Sequence, residues 1–259
     1  MSARWLIINA DDLGRTEAIS AGIFEAHERG MVTSATLMVA YPAAESAARV
    51  AASYPELGVG LHVQWSGGTP LLPPEDVPSL VDEDGRLSRR PDQRLVSAAA
   101  DEVLAEARAQ LALFQELTGR LPSHLDSHHH AHRVPVALEA LLVLATRHAL
   151  PVRAASPAMA EELRRRGVAT TDHFVEDFYG EGANMATLRR VMQALPPGVT
   201  ELMCHPGHVD EELRMESAYA VEREHEIEVL TSDEAKQLVE TLGVRLIHFG
   251  GLAGALAAT

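Results

Sequence analysis

Residues 5–14 read W-L-I-I-N-A-D-D-L-G, and this stretch decides what kind of fold the chain can adopt. The apolar run from Trp5 to Ile8 reads as a short buried strand over 6–9, which meets Asp11 and Asp12 before the chain has turned. Residues 17–29 follow as a helix, with Ile19, Gly22, Ile23 and Ala26 on one face and Gly30 as a stop. A strand that runs straight into an amphipathic helix is one βα unit, and the unit recurs. Strand-like runs at 35–39, 57–63, 121–127, 152–154, 173–175, 199–204 and 244–249 alternate with helical stretches. The clearest helices are 42–53, 96–117, 135–149, 217–230 and 232–242, with weaker ones ending at 166 and 194. Repeated βα units make a parallel sheet, because each crossover returns the chain to the same edge. Periodicity does not separate an open sheet from a closed one; about eight units over this length favour a (β/α) barrel of the TIM-like type, irregular or short of a strand.

Nothing divides the chain, so a single domain over 1–259 is expected. The rhythm breaks once, at 66–94, where Pro70, Pro73, Pro74, Pro78 and Pro91 stand among polar residues. So long a stretch without periodicity reads as a loop insertion over the pocket. The net charge of −15 argues against nucleic acid as a partner, since phosphate binding needs a positive surface. Arg164, Arg165 and Arg166 read as a solvated helix end. No run of apolar residues is long enough to span a membrane, and the opening residues are too short for a signal peptide. The single cysteine, Cys204, excludes an internal disulfide framework and fits a reducing, cytoplasmic location.

The unusual polar residues gather at strand ends. Asp11 and Asp12 come after the first strand, His62 near the end of the third, and H-L-D-S-H-H-H-A-H at 124–132 after the fourth. His205 ends the seventh, in M-C-H-P-G at 203–207. The C-terminal ends of parallel strands share one face of such a fold, where barrel enzymes place their sites. Taken singly, an Asp-Asp pair reads as a turn, His62 as a hydrogen-bonded core residue and Cys204 as a small buried one. Taken together on one rim, they suit a divalent ion such as Zn²⁺, Fe²⁺, Ni²⁺, Co²⁺ or Mg²⁺. Such an ion would offset the repulsion of the two aspartates, while Asp126 and the extra histidines fix imidazole tautomers. Arg153, after the fifth strand, is placed either to orient a substrate oxygen or to pair with a carboxylate. On these residues a metal-dependent amidohydrolase, a phosphoesterase and a non-catalytic metal-binding protein all stay open, although no P-loop is present.

The sequence resembles the YdjC-like carbohydrate deacetylases, a group that includes chitooligosaccharide deacetylases. The resemblance runs through N-A-D-D-L-G at 9–14, V-T-S-A-T at 32–36, G-L-H at 60–62 and the histidine block at 124–132. It continues through F-Y-G-E at 178–181, M-C-H-P-G at 203–207 and L-T-S at 230–232. It implies removal of the N-acetyl group from an amino sugar, a small-molecule substrate, with one divalent ion, Mg²⁺ or Zn²⁺, as cofactor. By resemblance Asp12, His62 and His128 are the metal ligands, Asp11 the general base and His205 the acid. Asp126, His129, His130, His132 and Arg153 are then supporting or substrate-binding residues. A homodimer is the assembly the resemblance suggests.

Overall fold

The computed structural model describes residues 3–258, so residues 1–2 and 259 at the ends of the expected domain lie outside the described residues. The elements, in chain order, are β1 (Arg4–Leu13), α1 (Glu17–Glu28), β2 (Ser34–Leu37), α2 (Ala44–Ala51), β3 (Gly58–Val63) and α3 (Pro91–Arg94). Then come α4 (Ala100–Thr118), β4 (Leu125–Ser127), α5 (Pro135–His148), α6 (Pro157–Arg165), β5 (His173–Val175) and α7 (Met185–Ala194). The chain finishes with β6 (Gly198–Cys204), α8 (Glu211–Glu216), α9 (Val221–Thr231), α10 (Asp233–Leu242), β7 (Arg245–Leu246) and α11 (Leu252–Ala257). No helix among the described residues is long and apolar enough to cross a membrane.

Every strand pair is parallel, in the order β4-β3-β2-β1-β6-β5. β1 forks: Trp5 and Leu6 pair with β7, whereas Asn9, Ala10 and Leu13 pair with β2. Between the outer edges of β4 and β5 the chain spans the gap with a few bonds. Arg153 N–H donates to Leu125 O, and Val152 N–H donates to Ala169 O. The result is a half-barrel of parallel strands with helices around it, irregular where it closes.

Alternation along the strands sorts the core into layers. Leu6, Ile8 and Ala10 join the main core together with Ile19 and Ile23 of α1. Ile7 instead packs with Val199, Phe249, Leu252 and Ala255 in a second, smaller core, where the last turns of the chain plug one end of the barrel. Asn9 and Asp11 continue the Ile7 side of β1, and Glu201 and Met203 continue the Val199 side of β6, because successive strand residues point to opposite faces. The barrel interior thus changes from apolar at one end to polar at the other.

Several expected boundaries shift. The strand at 152–154 reduces to the bridge Leu125–Val152, and those at 121–127 and 244–249 contract to β4 and β7. The second and fourth helices begin at Ala44 and Ala100, and the stretch 217–230 begins as a helix only at Val221. β1 is longer than expected and takes in both aspartates. The segment 66–94 is also more than a surface excursion: Val77, Leu80, Leu87 and, just beyond it, Leu95 are core residues.

Candidate metal and catalytic site

In a regular strand Asp11 and Asp12 would point to opposite faces. Here the β1–β2 register shifts between Ala10 and Leu13, and Asp12 takes a left-handed φ of 73°. That irregularity lets both carboxylates line one cavity of about 360 Å³ with His62, His128 and His205. A non-glycine residue with positive φ is uncommon and costs free energy, so surrounding contacts must hold it there.

Each aspartate has its own arginine. The buried Arg153 binds Asp11 through two bonds of 2.7 Å, Nη1 to Oδ2 and Nη2 to Oδ1, and its Nε donates to Glu201 at 2.7 Å. Its Nη1 also lies 3.0 Å from Asp126. Arg223, on α9, donates to Oδ2 of Asp12, and Arg15 stands 3.6 Å from the same oxygen. The repulsion of the pair is therefore relieved by guanidinium groups on two sides, where the sequence suggested a metal ion alone. Of the two roles open to Arg153, the geometry gives the pairing one. Burial pushes the Asp11 carboxyl up, but Arg153 outweighs it and holds the group well below the usual carboxylate range. Burial likewise raises Asp12, and His128 and Arg223 bring it down further than that.

Among the described residues two groups of side chains could hold a metal ion: Asp12, His62 and His128, and Asp11, His62 and Asp126. The chemistry favours the first. Asp11 is already engaged at both oxygens, and Asp126 Oδ1 lies 2.7 Å from Nδ1 of His62. By contrast Oδ1 of Asp12 is buried without a hydrogen-bond partner, 3.6 Å from His62 Nε2 and 3.1 Å from His128 Nδ1. A buried carboxylate oxygen left unpaired between two imidazole nitrogens fits a cation. Asp126 holds His62 so that Nε2 faces Asp12, as the outer partner of a ligating histidine does. Burial lowers the His62 pKa, yet Asp126 and the neighbouring aspartates outweigh it and bring it to about 9. The site draws positive charge.

The remaining histidines are sorted by the turn after β4, in which His129 and His130 adopt φ of 54° and 49°. His129 meets Ser66 Oγ at 3.0 Å with its ring 3.8 Å from that of His128, and His130 lies 3.5 Å from Glu176. His132 is buried and sits 2.6 Å from Ser127 Oγ. His205 lies 3.9 Å from Asp11 and edge-on to Tyr179 and Tyr219; burial pulls its pKa to about 4 against the pull of Asp11. His208 is outside the cavity, 3.0 Å from Glu25.

Sequence reading missed Arg15, Arg223 and Glu226. Glu226 accepts from the backbone N–H of His205 and from the hydroxyl of Tyr219. The signal was present: Arg223, Glu226, Ile227 and Leu230 form the buried stripe of α9, and charges on such a stripe need partners.

The profile described as YdjC-like protein matches residues 5–241. A protein from Geobacillus stearothermophilus named carbohydrate deacetylase is 41% identical over 247 residues, 95% of this chain and 97% of its own. One from Proteus mirabilis named chitooligosaccharide deacetylase is 36% identical, over 94% of this chain and 97% of its own. A crystal structure of a protein from Enterococcus faecalis superimposes with a TM-score of 0.91 at 36% identity, covering 97% of this chain and 99% of that one.

Proposed function

The chain belongs to the YdjC-like protein family, and on that premise we propose that it is a metal-dependent carbohydrate deacetylase, a hydrolase that removes the N-acetyl group from an amino sugar such as an N-acetylglucosamine oligosaccharide. The observation that carries this reading is the unpartnered Oδ1 of Asp12 between two imidazoles, with a second carboxylate alongside it in the same cavity.

Asp12, His62 and His128 would hold the ion, magnesium or zinc. The chemistry such an ion supplies when bound is Lewis acidity toward an acetyl carbonyl and toward water. Asp11 is the base. Arg153 fixes both of its oxygens and keeps it ionised at neutral pH, so that it can take a proton from the attacking water. The water oxygen bonds to the acetyl carbon, the C–N bond breaks, and the leaving nitrogen requires a proton. His205 delivers it. With a pKa of about 4 its ring is neutral before the cycle starts, so it must gain a proton during turnover, and Asp11 lies 3.9 Å away. Asp126 fixes the His62 ring, and His129, His130 and His132 support the turn that presents His128.

Residues 66–94 shape the mouth of the site within a single domain: Gly67, Gly68, Thr69, Arg86 and Arg89 line a second cavity beside it. The buried lone Cys204 fits a reducing cytoplasm. The homodimer rests on the resemblance to the family. Acetate release from N-acetylated mono- and disaccharides, by protein first stripped of metal and then reloaded, tests the function. Release that depends on added metal supports it, and no release from any of these sugars under any metal would refute it.

A further inference from the structure

His205 has to meet the leaving nitrogen, yet no hydrogen bond among the described residues aligns its ring. Nδ1 of the imidazole is buried without a partner, and Nε2 lies 3.9 Å from Asp11, beyond hydrogen-bonding distance. A histidine that moves protons is ordinarily oriented by a partner on its second ring nitrogen. Here the direction of the ring must come from its backbone and from the side chains packed on it.

Two residues one turn apart on α9 bracket that backbone. Glu226 accepts from the His205 N–H, and Nη1 of Arg223 donates to the His205 carbonyl at 3.4 Å. The packing depends on the same glutamate. Tyr219 stands edge-on to His205 with ring centroids 5.7 Å apart, and its hydroxyl donates to Glu226. Tyr179, also edge-on to His205 at 5.3 Å, stacks on Tyr219 at 4.2 Å. One fully buried side chain therefore fixes the main chain of His205 through Oε2 and its aromatic wall through Oε1. Arg223 also donates to Asp12, whereas the hydrogen bonds of Glu226 go to His205 and Tyr219. Burial pushes the Glu226 carboxyl up to about 8, against the pull of Tyr219, the His205 N–H and Arg223, so the group acts at neutral pH by its shape more than by its charge.

We propose that Glu226 is a positioning residue of the hydrolysis, acting through His205: it holds the His205 backbone and the Tyr219 ring so that the imidazole faces the leaving nitrogen. The proposal rests on the deacetylase reading and adds to it a residue that touches neither substrate nor ion.

The test measures kcat and KM for acetate release from the β-1,4-linked disaccharide of N-acetylglucosamine by the metal-loaded wild type, Glu226→Ala and Glu226→Gln. In Glu226→Ala kcat should fall about 100-fold with KM and bound metal unchanged, the scale of loss that a small misplacement of a reacting group brings. Glu226→Gln should recover most of that loss, since its carbonyl can accept from the His205 N–H and its amide can donate to the Tyr219 oxygen. A second substrate, 4-nitrophenyl acetate, separates positioning from general damage, because its phenolate leaves without a proton. Its hydrolysis should fall far less in Glu226→Ala than amide hydrolysis does. Equal losses on the two substrates, lost metal, an unchanged kcat, or a glutamine variant no better than alanine would each overturn the proposal. If the wild type does not cleave the ester, the kcat–KM split and the glutamine rescue decide. If Glu226→Ala does not fold, Glu226→Asp, which shortens the arm, takes its place with the same expectations. A wild type that releases no acetate from the sugar overturns the deacetylase reading and this role with it, whereas an active wild type with an unimpaired alanine variant overturns the role alone.

Discussion

Asp11 and Asp12 are chemically identical neighbours made different by what holds them. Asp11 is clamped at both oxygens, while Asp12 keeps one oxygen unpaired beside two imidazoles. The same logic separates the histidines. His62→Ala and His128→Ala should each lose bound metal and activity together, whereas His129→Ala, which gives up a bond to Ser66 and a ring contact with His128 but no ligand atom, should keep its metal. Metal analysis of the purified variants checks this, and full occupancy in His62→Ala would move the site elsewhere. Arg153 matters to stability as well as to chemistry, since one guanidinium serves Asp11, Asp126 and Glu201, all buried. Arg153→Leu would strand those carboxylates, and breaking a buried ion pair in this way costs about 3–5 kcal/mol. The urea midpoint should drop accordingly; a midpoint equal to wild type would mean that the network relaxes without its cation. These residues could be picked out from the sequence because Asp, His and Arg at strand ends are conspicuous. Their pairings could not, since they depend on a left-handed residue in β1 that only the packed structure forces.

Among the elements, the segment 66–94 contributes more to the core, and α9 more to the site, than the sequence reading assigned them. Prolines and lost periodicity made the segment look like a free loop, yet α4 ties it down. Glu106, fully buried, accepts from the N–H groups of Leu71 at 2.8 Å and Leu72 at 3.0 Å, and Glu102 accepts from Ser79. Local pattern does not reveal such bonds, because the acceptors sit about 30 residues away on a helix that reads as ordinary. Glu106→Ala would leave two N–H groups without their acceptor, at about 1–3 kcal/mol for each one that stays buried. Hydrogen exchange at Leu71 and Leu72 should accelerate and the unfolding midpoint should fall, while Glu106→Gln, which keeps an acceptor oxygen, should be milder. Unchanged exchange at both amides would show that the segment holds its place without Glu106. α9 was obscured for the opposite reason. Its run E-R-E-H-E looks like a solvated face, although Arg223 and Glu226 point into the site.

At the scale of the whole molecule, alternation of strands and helices was enough to predict a parallel sheet with its polar residues on one rim, because crossover geometry leaves few other arrangements. The irregular closure was not legible. It depends on Val152 and Arg153 bridging toward Leu125 and Ala169, a few tertiary bonds that leave no periodic trace. The fold brings Asp12, His62 and His128 together from β1, β3 and the turn after β4, and puts Asp11 beside them as the group left free of that set. Metal-dependent rescue of two asparagine variants measures this division of labour across the rim most directly. Asp12→Asn should bind metal weakly and recover part of its acetate release when excess metal is added. Asp11→Asn should hold metal like the wild type and remain about 100- to 10,000-fold slower at every metal concentration, the usual range for a lost general base. Rescue of Asp11→Asn by metal, with Asp12→Asn staying inactive, would contradict the account.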